Sequence, residues 1–212
     1  MKRIVVLASG RGSNFLAVAS AIERGEISGR CIRLIVDRPG TLAAVRAEEQ
    51  KIPVSLLHYS DFSTKADYEK ALSDLLHMLN PDLIVLAGYM RILGLGIIRE
   101  YSGKIINIHP SLLPAFPGLN AHGQAIAYGV RVSGCTVHFV DEGTDTGPII
   151  LQRCVSVAED DDEVTLADKI LVEEHIAFPM AIALFCQNRL KVFGRKVILL
   201  PQSSEHNPHE GH

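Results

Sequence analysis

Two polar side chains stand two positions apart where an apolar segment meets a proline. Asn107 interrupts the β-branched run Ile105–Ile108, and His109 follows this run and immediately precedes Pro110. Such a run predicts a buried strand, and residues two apart share one of its faces. Proline cannot donate to a sheet ladder, so it ends the strand. An amide and an imidazole held side by side can stabilise an oxygen on which negative charge develops. An isolated pair of this kind is more often a pair of satisfied polar groups, so the rest of the chain must decide.

A second chemical feature is the glycine-rich turn Ser9–Asn14, which lies between the apolar run Ile4–Ala8 and a helical pattern that begins near Phe15. Backbone N–H groups at such a helix N-terminus can bind a phosphate. The full Gly-x-Gly-x-x-Gly and Gly-x-x-x-x-Gly-Lys patterns are absent. A phosphate monoester therefore fits better than a dinucleotide or a nucleoside triphosphate. A tight turn with Ser13 as helix cap is an equally good interpretation of this segment alone.

A turn rich in carboxylates, Asp141–Pro148, separates two predicted strands, Gly134–Val140 and Ile149–Val157. The first alternates apolar and polar residues, which predicts a half-buried strand, and the second is expected to return antiparallel to it. His138 and the nearby carboxylates could suggest a metal site. Their apolar neighbours favour a structured loop instead, and we expect no metal.

Length and composition restrict the class of protein. The chain has 212 residues, of which 47% are hydrophobic and 21% charged, as in a globular protein of one domain. A net charge of −3 gives no electrostatic case for nucleic acid as a partner. The four scattered cysteines form no Cys-x-x-Cys pair, which suits a reducing compartment. No segment has the length of a membrane span, so we expect a cytoplasmic protein without membrane partners.

The elements that must position these residues alternate along the chain. This alternation predicts an α/β fold, a doubly wound and mostly parallel sheet with helices on both faces and antiparallel strands near the C-terminus. We predict strands at 31–36, 54–57 and 83–87, helices at 42–51, 65–79, 121–128 and 165–189, and a terminal hairpin at 191–199. Pro179 should kink the last helix. One domain is expected over residues 1–200, and the polar segment 201–212 is expected to be disordered.

Ligands of doubly wound sheets bind beyond the carboxyl ends of the strands. The loops after Ala8, Ala87 and Ile108 should all open at that edge. The glycine-rich turn and the Asn107–His109 pair are therefore expected to face one site.

The segment Asn107–Pro114 resembles the signature of the folate-dependent formyltransferases. The similarity runs from Lys2 to about Leu200, and the matching motifs occur in the order of the family: Gly10–Asn14, Ala87–Leu93, Asn107–Pro114, Pro117–His122 and Asp141–Pro148. The resemblance implies the family's α/β fold. Four motifs in order beside the signature make a chance match improbable.

The resemblance also implies a reaction. The amine of 5-phosphoribosylglycinamide would attack the formyl carbon of the co-substrate 10-formyltetrahydrofolate, through a tetrahedral intermediate that carries an oxyanion. The family's catalytic Asn, His and Asp correspond here to Asn107, His109 and Asp145. Asn107 can donate its side-chain N–H, and His109 can donate as imidazolium, a form that the carboxylate of Asp145 would favour. Asp145 can also position a water that relays the proton leaving the amine.

The binding sites carried over from the family are spread over five segments. The phosphate-binding residues correspond to Gly12, Ser13 and Asn14, and a substrate-binding glutamate corresponds to Glu174. The folate corresponds to Met90, Arg91, Ile92, Leu93, Asn107, Val140 and Asp141. Lys65 stands where relatives carry Arg at the folate site. His122 is ambiguous, because it could contact substrate or cap the helix at 121–128.

Two kinds of alternative function remain. One is another folate-dependent formyl enzyme: methionyl-tRNA formyltransferase normally carries a further C-terminal domain and a basic surface, and formyltetrahydrofolate hydrolase a further N-terminal domain. The first strand begins at Ile4, which leaves no room for the latter. The other is a non-catalytic nucleotide-binding module, against which the intact catalytic set argues. The sequence is compatible with a monomer or a homodimer.

Overall fold

The computed structural model describes residues 1–202, and the part of the predicted disordered tail from residue 203 onward lies outside the described residues. In chain order the strands are β1 (Lys2–Ala8), β2 (Gly29–Val36), β3 (Val54–Leu56), β4 (Leu83–Leu86), β5 (Ile105–His109), β6 (Val132–Phe139), β7 (Ile149–Ser156), β8 (Leu190–Phe193) and β9 (Lys196–Leu199). The helices are α1 (Ser13–Glu23), α2 (Leu42–Glu49), α3 (Lys65–Leu79), α4 (Leu95–Glu100), α5 (Ala121–Tyr128) and α6 (Glu163–Cys186). A single 3-10 turn, Tyr59–Asp61, lies before α3.

The strands form one sheet in the order β3-β2-β1-β4-β5-β6-β7-β9-β8. The five strands from β3 to β5 are parallel, whereas β6 runs antiparallel to both β5 and β7. The last two strands form an antiparallel hairpin that joins β7 through β9. The predicted fold class, a doubly wound sheet with an antiparallel C-terminal part, is confirmed.

Helices cover both faces of the sheet because the parallel strands are apolar on both sides. One core contains Phe15 of α1, Ala43 of α2 and Phe178 of α6, packed on residues such as Ile106. The other core contains buried residues of α3 and α4, packed on residues such as Ile105. Neighbouring residues of β5 therefore enter opposite cores, as the strand period of two requires.

Local signals explain where several helices begin. Thr64 accepts a hydrogen bond from the Asp67 N–H at the start of α3, and Asp162 forms a capping box with Thr165 at the start of α6. The bounds of α3 and α5 coincide with those predicted, and α6 continues through the buried Pro179. Helix α4 is six residues long and was not predicted, because its sequence is too short for a clear period.

The prediction that the strand at 134–140 is half-buried is wrong. From Ser133 to Phe139 every residue of β6 is buried. The polar residues Thr136 and His138 have hydrogen-bond partners inside the protein, which removes the need for a solvent-exposed face. The alternation of apolar and polar residues therefore distinguishes the two faces of β6, but both of these faces are buried.

Candidate active site

The site lies where the sheet changes its winding direction. Strand β1 stands between β2 and β4: the chain runs from β1 outward through β2 to β3, and then crosses to β4 on the other side of β1. The loops after β1 and β4 are joined, because the Ser9 N–H donates to the Gly88 carbonyl at 3.1 Å and the Met90 N–H donates to Ser9 Oγ at 2.9 Å. This carboxyl edge is where open α/β sheets bind their ligands.

The predicted catalytic residues meet beside this edge. Asn107 and His109 lie near the end of β5, and Asp145 lies in the turn between β6 and β7. Oδ2 of Asp145 is 3.3 Å from Nδ1 of His109. The structure therefore brings the amide, the imidazole and the carboxylate to one place, as the two-residue spacing and the antiparallel return predicted.

A fourth side chain, His138, belongs to the same cluster, although sequence reasoning considered it only as a metal ligand. It lies directly opposite Asn107 in the pairing of β5 with β6. Its Nε2 is 3.3 Å from Asn107 Nδ2 and 3.6 Å from Asp145 Oδ1, while its Nδ1 donates to the Phe139 carbonyl at 2.8 Å. The register of the two strands would have revealed it, but an antiparallel register is not encoded by either strand alone.

Asp145 is held in one conformation by its backbone and its partners. Its φ of 55° is in the left-handed region, and its Oδ2 accepts the Gly118 N–H at 2.8 Å. Burial on its own would raise the pKa of Asp145. The neighbouring His138, the hydrogen bond from the Gly118 N–H and the charge of His109 outweigh burial and hold that pKa below its ordinary value. The residue is thus suited to act as a carboxylate.

Both ring nitrogens of His109 face acceptors. Nδ1 faces Asp145, and Nε2 is 2.8 Å from the carbonyl of Phe116. Only the imidazolium carries a hydrogen on both nitrogens, so this arrangement suits the charged ring. The predicted donation from His109 to a substrate oxygen requires that this oxygen replace the Phe116 carbonyl as acceptor.

The glycine-rich turn has the geometry of an anion site. Gly12 precedes α1 with a φ of 69°, and no side chain caps the helix at this residue. The alternative in which Ser13 caps the helix is wrong, because Ser13 is itself the first helical residue. A Cβ on Gly12 would lie 2.6 Å from the Cα of Ala43, so the close approach of α2 requires glycine here. The uncapped N–H groups of the first turn are the donors that a phosphate needs.

Asn14 and Glu174 connect this turn to α6. Asn14 Nδ2 donates to Glu174 Oε2 at 2.8 Å, and Glu174 is 7% exposed. Burial raises the pKa of Glu174, although the hydrogen bond from Asn14 opposes the shift. Within residues 1–202 the buried Asn14 Oδ1 has no hydrogen-bond partner, which leaves an acceptor next to the turn.

The Met90–Leu93 loop presents some of its side chains and buries others. Met90 and Ile92 are exposed, while Leu93 packs into the core. The Met90 N–H is already paired with Ser9. A ligand on this loop would therefore have to use the N–H groups of Arg91 and Ile92, the carbonyl groups, or the exposed side chains.

The second predicted folate segment has a similar restriction. The Val140 N–H donates to the Ile105 carbonyl at 2.9 Å, so it is not available to a ligand. The Asp141 carboxylate shapes its own turn, since Oδ1 accepts from the Gly143 N–H at 3.1 Å and from Thr146 Oγ1 at 2.6 Å.

Lys65 and His122 are the two remaining residues that could contact a ligand. Lys65 begins α3 and pairs with Glu69 at 3.2 Å, and Glu69 packs against Gly94 at the end of the Met90–Leu93 loop. Lys65 therefore lies at the same edge. The helix cap of α5 is Asn120, whose Oδ1 accepts the Gly123 N–H at 3.3 Å, so His122 does not cap it. Burial lowers the pKa of His122, although the charge of Glu163 opposes the shift.

Residues 1–202 contain no group of three or more His, Cys, Asp or Glu side chains arranged to bind a metal ion. Over the same residues, none of the helices has the length and apolarity needed to cross a membrane.

Comparison with known proteins adds a family to this geometry. Residues 2–182 match the family model described as formyl transferase. The phosphoribosylglycinamide formyltransferase of Bacillus subtilis is 44% identical, over 86% of this chain and 93% of that protein. The crystal structure of glycinamide ribonucleotide transformylase 1 from Symbiobacterium toebii superimposes with a TM-score of 0.93 at 43% identity, covering 95% of both chains.

A longer relative matches as well. The trifunctional purine biosynthetic protein adenosine-3 of Drosophila melanogaster is 44% identical over 86% of this chain. This chain spans only 14% of that protein's length. The match therefore concerns one part of the trifunctional protein.

Proposed function

Since the chain belongs to the formyl transferase family, we infer that it transfers the formyl group of 10-formyltetrahydrofolate to the amine of 5-phosphoribosylglycinamide. The products are the N-formyl ribonucleotide and tetrahydrofolate, and the reaction belongs to purine biosynthesis. The observation that carries this conclusion is the cluster of Asn107, His109 and Asp145 at the sheet edge. It is supported by the 44% identity to the phosphoribosylglycinamide formyltransferase of Bacillus subtilis over 93% of that protein.

The substrate amine is the nucleophile, so no side chain has to attack the formyl carbon. The amine forms a bond to that carbon, and the carbonyl oxygen becomes an oxyanion in the tetrahedral intermediate. The oxyanion then re-forms the carbonyl group as the bond between this carbon and the folate nitrogen breaks, and the folate nitrogen takes up a proton to give tetrahydrofolate. The protein's task is to stabilise the oxyanion and to remove one proton from the amine.

The oxyanion is stabilised by the side chains of Asn107 and His109. Two observations support this role. Both side chains belong to β5, and both ring nitrogens of His109 face hydrogen-bond acceptors. When the oxyanion forms, it takes the place of the Phe116 carbonyl as acceptor of the Nε2 hydrogen. Donors that are already oriented need little reorganisation during the reaction, which is why such sites lower barriers effectively.

Asp145 holds the imidazolium and receives the amine proton through a water. Its lowered pKa and its contact with His109 support the first role. For the second role, the carboxylate is half-buried in a turn beside the edge where the ligand loops meet. A water hydrogen-bonded to Asp145 can pass the proton onward without a further side chain.

The two ligands bind next to the loops that meet at the carboxyl edge of the sheet. The phosphate of the ribonucleotide binds the N–H groups of Gly12, Ser13 and Asn14, and Glu174 contacts the remainder of that substrate. The folate lies along Met90–Leu93 and the turn at 140–141. Lys65 and Asn107 complete this folate site.

The broader setting is also a proposal. The formyltransferase domain extends over residues 1–200, and the chain works in the cytoplasm as a monomer or a homodimer without nucleic-acid or membrane partners. The four cysteines, which lie within the described residues, are free thiols, a state that a reducing compartment maintains.

A steady-state assay tests the function. The purified chain is mixed with 10-formyltetrahydrofolate, with and without 5-phosphoribosylglycinamide, and both tetrahydrofolate and the N-formyl product are measured. Formation of both products only when the ribonucleotide is present is the expected result. Tetrahydrofolate release without the ribonucleotide would identify a hydrolase, and no turnover in either mixture would identify a non-catalytic module.

A further inference from the structure

A fully buried carboxylate lies outside every motif discussed above. Asp37 follows the last residue of β2 at the carboxyl edge, and its exposed fraction is 0%. A buried ionised side chain is unfavourable unless a partner of opposite charge compensates for the lost hydration. The identity of its partner therefore shows what this residue does.

The partner is Arg91, in the middle of the Met90–Leu93 loop. Arg91 Nε lies 2.7 Å from Asp37 Oδ2. The guanidinium also stacks on the ring of Tyr59, with Cζ 3.6 Å from the ring centroid, and the Tyr59 N–H donates to the Asp37 carbonyl at 3.1 Å. The contact with Asp37 is an ion pair without hydrogen-bond geometry, and together with the aromatic face it restricts the positions open to the planar cation.

The pair joins parts of the sheet that are not neighbours. Asp37 follows β2 and Arg91 lies in the loop after β4, while β1 stands between these two strands. The ion pair thus reaches across the carboxyl end of β1, from which the glycine-rich turn departs. A second cation, Arg38, lies 3.5 Å from Asp37 Oδ1, but its side chain is 51% exposed and belongs to no ligand loop.

The Met90–Leu93 loop is held by contacts on its buried side, which leaves its exposed side available to a ligand. Arg91 and Leu93 point inward, while Met90 and Ile92 are 61% and 70% exposed. With only four residues, the loop depends on these anchors and on the Met90–Ser9 hydrogen bond for its shape. Loss of the Arg91 contact would free the residues between Met90 and Leu93 to change conformation.

We propose that Asp37 is a positioning residue for folate binding, which holds the Met90–Leu93 loop in its binding shape through the ion pair with Arg91. This inference rests on the proposed folate site. Asp37 itself does not touch the substrate, because it is buried beneath the loop. Its effect should appear in the affinity for folate and not in the rate of the chemical step.

The kinetic test is the substitution Asp37→Asn, which keeps the size of the side chain and removes its charge. The KM for 10-formyltetrahydrofolate should rise about tenfold, while kcat and the KM for the ribonucleotide should stay within about twofold. Arg91→Gln should produce the same pattern. The double variant should be no worse than the worse single variant, because residues that act through one contact are not additive. A proportional rise in both KM values, or a fall in kcat alone, would overturn the proposal.

The matched control is Glu159→Gln, which breaks an exposed pair in which Arg131 Nη2 lies 3.2 Å from Glu159 Oε1. It should leave all three kinetic parameters unchanged. If Asp37→Asn lowers the melting temperature, the Asp37→Asn, Arg91→Gln double variant removes both charges and should recover part of that loss. A folate KM that stays high in the recovered double variant supports positioning, and a KM that returns to the wild-type value contradicts it.

A binding measurement separates failure of this inference from failure of the proposed function. Titration of tetrahydrofolate by calorimetry needs no turnover. If the wild-type chain does not bind tetrahydrofolate, the proposed function fails. If the wild type binds it and Asp37→Asn binds equally well, the function stands and the role of Asp37 is wrong.

Discussion

The side-chain amide of Asn14 donates to the carboxylate of Glu174 at 2.8 Å, although the two residues lie 160 positions apart in the chain. The contact joins the first turn of α1 to the middle of α6, beside the uncapped helix N-terminus proposed to bind the substrate phosphate. Glu174 is buried, so it contributes both to the site and to the pH dependence of stability.

The first prediction concerns Glu174→Gln. Burial raises the pKa of Glu174, so folding makes protonation of this side chain more favourable than it is in the unfolded chain. This contribution to stability is complete below the ordinary glutamate pKa of about 4.3 and is lost as the pH rises through the raised value. The variant should therefore be more stable than wild type at pH 8 and nearly equal at pH 4, by urea denaturation. Its KM for the ribonucleotide should rise. A stability difference that does not change between these two pH values would contradict the burial argument.

The second prediction concerns the phosphate site and uses two glycines of one turn. Gly12→Ala places a Cβ against Ala43 and imposes a φ of 69° on a residue that avoids it, at a cost of about 1–2 kcal/mol. We expect a lower melting temperature and a higher KM for the ribonucleotide, with the folate KM nearly unchanged. Gly10→Ala is the control, because a Cβ there meets no atom within 4 Å. Equal losses for both substrates would argue against a local phosphate site.

The third prediction concerns the catalytic set. Asn107→Ala removes one oriented donor and should lower kcat by about 10²–10³ with little effect on KM. Asp145→Asn should lower kcat at least as much, because it removes both the partner of His109 and the proton acceptor. The double variant should lose less in ΔΔG‡ than the sum of the single losses, since the residues act as a unit. Full additivity, or near wild-type turnover in Asp145→Asn, would refute the shared mechanism.

The fourth prediction separates a loss of catalysis in Asp145→Asn from a loss of folding. The folded protein lowers the pKa of Asp145, so the carboxylate contributes stability above the ordinary Asp pKa of about 3.9 that is lost as the pH falls through the lowered value. Asp145→Asn should therefore be less stable than wild type at pH 7, and the difference should shrink toward pH 3. Denaturation curves at the two pH values test this sign. At 25 °C and pH 7 the variant should still be folded by circular dichroism, which assigns its lost turnover to chemistry.

The fifth prediction concerns the folate loop. Tetrahydrofolate should slow hydrogen exchange at the amides of Arg91 and Ile92 and in the turn at 141–145. The amides of Met90 and Val140 already donate within the protein and should change little. They serve as internal references in the same peptides. Protection confined to the Ser9–Asn14 turn would rule out this assignment of the folate site.

The sequence by itself determined the fold class and the identity of the three catalytic candidates. The signals for the fold and for Asn107 and His109 are local: β-branched runs mark strands, Thr64 and Asn80 bound α3, and Pro110 ends β5. Asp145 was identified through the resemblance of the turn Asp141–Pro148 to the motif of the family. The spacing of Asn107 and His109 placed both on one strand face without any knowledge of the fold. Helix α4 is too short to show a helical period, so its sequence does not predict it.

Only the tertiary structure decided which distant groups meet. His138 joins the cluster because of the register between β5 and β6, and Glu174 reaches Asn14 because α1 packs on α6. Asp37 finds Arg91 across β1, from positions 54 residues apart along the chain. Burial of β6 on both faces was equally beyond the sequence pattern. Each of these features depends on contacts between segments far apart in the chain, whose energies arise only after the sheet has assembled and excluded water.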